Sequence, residues 1–87
     1  MKIDHIAIYV ENLEITKEFF IKYFNAIANN LYHNPKTGLS TYFLSFEGNT
    51  RLELMTRTNI AKTEFILYRQ GLIHLSFSLG NKKKLMN

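Results

Sequence analysis

Three side chains able to hold a divalent cation fall in the middle of strand-like segments. They are His5 in "IDHIAIYV", Glu53 in "RLELMTR" and His74 in "GLIHLSFSLGN". Each stands on the face opposite an apolar row: Ile6, Ile8 and Val10 for the first, Leu52 and Leu54 for the second, and Ile73, Leu75, Phe77 and Leu79 for the third. A polar group buried mid-strand without a partner is costly. Two imidazoles and a carboxylate on the concave side of a curved sheet suit a borderline divalent metal without thiolates. The carboxylate of Glu53 can also move a proton when coordination and burial tune it. Taken singly, a strand histidine or glutamate reads as structural or solvated; the three together point to a site. His33, beside "NPKTG", reads as a surface histidine.

The elements that must position these residues follow from hydrophobic period. Residues 2–10 alternate and predict a strand. Asn12 is a fitting N-cap. A helix is expected to about Asn25, with Leu13, Thr16, Phe20, Tyr23, Phe24 and Ile27 along one stripe and Phe19 widening it. "NPKTG" has the composition of a turn, so residues 28–33 and 39–47 predict a hairpin. "EGNT" is a second turn, and "RLELMTR" the next strand, with Arg51, Glu53, Met55 and Arg57 sharing a face. Residues 58–70 read as a linker in which "TEFILY" is either a short strand or an ordered connection. A last strand spans 72–79.

That last strand repeats the first. His74 falls on His5, Leu75 on Ile6, Phe77 on Ile8, Leu79 on Val10 and Asn81 on Asn12. "NKKKLMN" therefore takes the place that the helix opening "NLEITKE" has in the first copy. The expected fold class is α+β: one βαβββ module over 1–57, a linker over 58–70, and the first strand and helix stub of an incomplete second module over 71–87.

Composition narrows the function. At 87 residues and 46% hydrophobic, the chain is one small globular domain. It has no cysteine, which excludes disulfides, thiolate metal sites and a cysteine nucleophile. No stretch approaches the roughly 18 apolar residues of a membrane span, and "MKIDHIAIYV" is too polar for a signal peptide, so cytoplasm is the default. The net charge of +4 rests largely on Lys82, Lys83 and Lys84. The aromatic residues do not interleave with a basic stripe, and nucleic-acid binding is unsupported.

The βαβββ order, "DHIAIYVENLEITKEFFIKYFNA", "RLELM" and "GLIHLSFSLGNK" resemble the vicinal oxygen chelate superfamily, and within it the glyoxalase I (lactoylglutathione lyase) branch. The resemblance implies two facing βαβββ modules around a divalent metal (Zn, Ni, Co or Mn). His5, Glu53 and His74 match the first three of the four ligands of that branch. The fourth would lie beyond Asn87, so the chain resembles a two-module protein cut short. Where the branch often has an arginine four residues after the first ligand, this chain has Tyr9. Where it often has an asparagine four residues after the first glutamate, this chain has Arg57. Tyr9, Met55 and Arg57 are the substrate-facing candidates. The implied reaction isomerises a 2-oxoaldehyde–thiol hemithioacetal to a 2-hydroxyacyl thioester through a metal-bound enediolate, with Glu53 as the catalytic carboxylate and truncation weakening turnover. The implied assembly is a homodimer in which His5 and Glu53 come from one chain and His74 from the other. The alternatives are a non-catalytic module binding a small molecule, as antibiotic-binding relatives do, and an inactive structural fragment.

Overall fold

The computed structural model describes residues 1–61, 68, 70–72, 74–79 and 82–86. The first strand, β1 (His5–Tyr9), leads through Asn12 into helix α1 (Leu13–Phe24). Asn12 caps the helix as expected: its side-chain oxygen accepts from the Ile15 backbone N–H at 3.0 Å, satisfying a donor that the helix itself leaves free. Asn25 ends the helix in the left-handed region, φ 56° and ψ 34°, where asparagine is tolerated.

Four further strands follow: β2 (Ile27–Ala28), β3 (Tyr32–Asn34), β4 (Leu39–Ser45) and β5 (Arg51–Thr56). The sheet order is β1-β5-β4-β2, with β3 also pairing to β4. β1 runs parallel to β5, and the ladder extends past both ends of β1. Arg51 N–H donates to the Asp4 carbonyl at 3.0 Å, and Val10 N–H to the Met55 carbonyl at 2.8 Å. This is the α+β order expected for the module.

The single hairpin strand expected over 28–33 is two strands. Ala28 opposes Leu44, but Tyr32 opposes Thr41, so one extra residue stands between the two pairings. Asn29 fills the gap: its N–H donates to the Phe43 carbonyl at 3.1 Å, and its side-chain oxygen accepts from Phe43 N–H at 2.8 Å. A side chain thus replaces a ladder bond, as at a β-bulge.

The helix packs over β5, β4 and β2. Leu13, Phe20, Ala26, Tyr42, Leu44, Leu52 and Leu54 form the core, with Ile6, Ile8 and Val10 against it. The apolar rows of β1 and β5 therefore lie under the helix, as their alternation predicts. The helix stripe is narrower than expected: Tyr23 and Ile27 are exposed, and Phe19 borders on it. Tyr42 reaches past the core to donate a hydrogen bond to Glu14 Oε2 at 2.6 Å, with Lys17 Nζ 4.7 Å over its ring.

Near the end of the chain the structure departs from the expected second module. Residues Lys82–Met86 are not a helix start but a strand, β7, pairing antiparallel with β6 (Leu75–Leu79) in a separate two-stranded sheet. Leu79 opposes Lys82, the pairing at the connected ends of the two strands. Pairing lets both strands share backbone hydrogen bonds, which a two-turn helix stub with lysines at its positive end would not supply. Leu75 and Phe77, expected under a second helix, pack at the end of the first one. The Phe77 ring lies 4.5 Å from Phe24 and 5.2 Å from Phe46. The reading of "TEFILY" lies almost wholly outside the described residues, as does Ile73. Among the described residues, no helix is long and apolar enough to cross a membrane.

Candidate metal centre

The face of the sheet turned away from the helix carries the candidate site. Strand alternation and the β1–β5–β4 register place His5, Ala7 and Tyr9 beside Arg51, Glu53 and Met55, with Phe43 opposite Glu53. His5 Nε2 lies 3.6 Å from Glu53 Oε1. The Glu53 side chain is largely covered and that of His5 partly so, at 16% and 38% exposure. Two donors of tetrahedral zinc, each bonded at about 2.1 Å, stand roughly 3.4 Å apart. The spacing and the imidazole–carboxylate chemistry therefore fit two ligands of one divalent ion.

A short network holds the histidine. Its Nδ1 is 2.7 Å from Asp4 Oδ2, and Arg51 Nη2 donates to the same oxygen at 2.8 Å. The hydrogen bond from His5, reinforced by the Arg51 guanidinium, holds the Asp4 carboxyl below the usual carboxylate range. The imidazole and the Phe43 ring stand 5.2 Å apart and nearly perpendicular, at 83°, and Arg51 lies 4.3 Å over the Phe43 ring.

The other expected residues are distributed unevenly. Tyr9 and Met55 are direct neighbours on this face, and Tyr9 is 57% exposed. Arg57 is exposed, one residue past the end of β5. His74 is exposed and stands just before β6, whose Leu75 and Phe77 pack with the helix-side core. Among the described residues, no three His, Cys, Asp or Glu side chains are grouped to hold a metal. The structure thus brings His5 and Glu53 together and does not bring His74 to them. His33 is exposed and bonded through Nδ1 to Ser40 Oγ at 2.7 Å, in keeping with a surface residue.

Asp4 was not among the expected site residues. It precedes β1, so strand alternation does not fix the direction of its side chain. The signal in the sequence was the Asp-His step itself.

The sequence pattern of the Glyoxalase/Bleomycin resistance protein/Dioxygenase superfamily matches residues 2–85, nearly the whole chain. The chain belongs to that superfamily. No curated protein matches it. Members of the superfamily commonly use divalent metals, typically bind small molecules and often dimerise. In this member the face opposite the helix holds two metal-capable donors, and exposed Tyr9, Ile27 and Tyr32 lie around them.

Proposed function

We propose that this chain is a glyoxalase I-like metalloprotein that works as a homodimer. His5 and Glu53 of one copy would hold a divalent metal together with His74 of the partner subunit. The observation that carries the reading is the 3.6 Å approach of His5 Nε2 to Glu53 Oε1 on an open sheet face. Exposed apolar side chains on that face, Tyr9, Ile27 and Tyr32, favour a second copy as its cover. Because His74 stands apart from His5 and Glu53 within one chain, a site of three ligands needs it from elsewhere.

A bound divalent ion supplies Lewis acidity to the paired oxygens of a substrate. The chain's own groups do the rest. Glu53 takes the proton from the hemithioacetal carbon of a 2-oxoaldehyde–thiol adduct and returns it to the neighbouring carbon. The hydroxyl proton passes between the two oxygens, so the product is the isomeric 2-hydroxyacyl thioester, with no atom gained or lost. Tyr9 and Met55 flank the reacting group and exclude water. Arg57, at the strand end, pairs with an anionic part of the thiol. We place the protein in the cytoplasm, where such thiols are kept reduced.

Mixing two inactive variants tests this. A His5→Ala chain paired with a His74→Ala chain has one site with both histidines intact. Metal binding and hemithioacetal isomerisation should return in the mixture and be absent from either variant alone. Failure of the mixture to regain either property would overturn the shared site.

One observation favours a second reading, a non-catalytic small-molecule binding module. A cavity of about 490 Å³ opens on the helix side of the sheet, lined by Ile6, Phe24, Phe46, Leu52, Leu75 and Phe77 among others. A small apolar ligand bound there without metal, and unaffected by Glu53→Gln, would support it.

A further inference from the structure

We propose that Asp4 is a positioning residue that locks His5 as its Nδ1–H tautomer, so that Nε2 carries its lone pair toward Glu53. The inference deepens the metal reading above and rests on it. A neutral imidazole has one N–H, and its two nitrogens have distinct roles set by their hydrogen bonds. Asp4 is ionised and accepts only, so at 2.7 Å the proton must sit on Nδ1. Nε2 is left as an acceptor, and it faces another acceptor, Glu53 Oε1, at 3.6 Å. With the ring neutral, Nε2 is the nitrogen left to bind a cation beside Glu53.

The lock has its own anchor. Arg51 donates to the same Asp4 oxygen at 2.8 Å, and its guanidinium lies 4.3 Å over Phe43. Phe43 in turn packs nearly perpendicular to the His5 ring, 5.2 Å between centroids, and restricts its plane. The Asp4 backbone is pinned as well, since its carbonyl accepts from Arg51 N–H at 3.0 Å. Arg51 therefore holds Asp4 at both main chain and side chain. A carboxylate bonded to the far nitrogen of a ligating histidine fixes the tautomer and raises the basicity of the ligand. The Asp4 side chain is 70% exposed, so replacing it does not open a core.

The test is nitrogen NMR of the His5 ring at pH about 8, above the ordinary histidine range near 6.5, first without metal and then with added Zn²⁺. In the wild type the ring should be Nδ1–H, and Zn²⁺ should shift Nε2. Asp4→Ala should move the apo ring toward Nε2–H and weaken Zn²⁺ binding by about 10–100-fold. Asp4→Asn, whose amide oxygen still accepts, should restore most of both. A wild-type ring already Nε2–H, or one unchanged in Asp4→Ala, would overturn the positioning role. A locked Nδ1–H ring whose Nε2 ignores Zn²⁺ would instead overturn the metal reading, and with it the purpose assigned to Asp4.

Discussion

Replacing Phe24 and Phe77 by leucine, singly and together, tests where the β6–β7 hairpin docks. The two rings are 4.5 Å apart and tilted by 51°, within the range of favourable aromatic pairs. Both side chains are partly buried against the core rather than sealed in it. Leucine keeps most of the volume, so each single change should cost about 1 kcal/mol. The ring–ring contact is lost with the first change, so the second should cost less than it does alone. The coupling should be about 0.5–1.5 kcal/mol. Urea unfolding of the four proteins gives it directly, with unchanged m-values as the check on two-state behaviour. Costs that add to within about 0.3 kcal/mol would mean that the rings do not meet in solution. The hairpin would then be free to lie elsewhere, and the separation of His74 from His5 and Glu53 within one chain would lose its support.

Three further perturbations follow from local surroundings. Tyr42→Phe removes the donor to Glu14 Oε2 and should lower the urea midpoint. The Tyr42 bond, then Lys17, depresses the Glu14 pKa, so its stabilisation is present above the ordinary carboxylate range and lost as pH falls through the depressed value; the variant should show a shallower acid limb. The same bond raises Tyr42, so the stabilisation holds below a pH of about 10 and fades as pH rises through the raised value. Gly38→Ala places a Cβ 2.7 Å from Thr58 Oγ1 at φ +75°, and should cost about 1–2 kcal/mol from the left-handed backbone alone. Gly48→Ala meets nothing within 4 Å and should change stability by less than about 0.5 kcal/mol, as read from the same urea transitions.

Local features were legible in the sequence, and long-range ones were not. The alternation of β1 and β5, the Asn12 cap and the helix end at Asn25 depend on neighbours a few residues away, and the structure has all of them. The break between β2 and β3 depends on Asn29 meeting Phe43, fourteen positions later, which no local pattern announces. The end of the chain shows two local signals in conflict. The match of Asn81 to Asn12 suggested a helix start, whereas Gly80-Asn81 also has turn composition, and residues 82–86 pair as a strand with residues 75–79 rather than forming a helix. On the site, the shared face of His5 and Glu53 followed from period two. Asp4 was hidden because the expected strand over 2–10 put it in line with apolar Ile6, whereas β1 begins only at His5, and the place of His74 is set by packing at Phe24 and Phe46 rather than by its own spacing.

Native mass spectrometry of the protein purified without chelator, beside its His5→Ala and Glu53→Gln variants, tests the central claim most directly. The account predicts a dimer that retains a divalent metal and loses it in either variant while the dimer persists. A wild-type protein that takes up no metal, even after incubation with Zn²⁺, would contradict it.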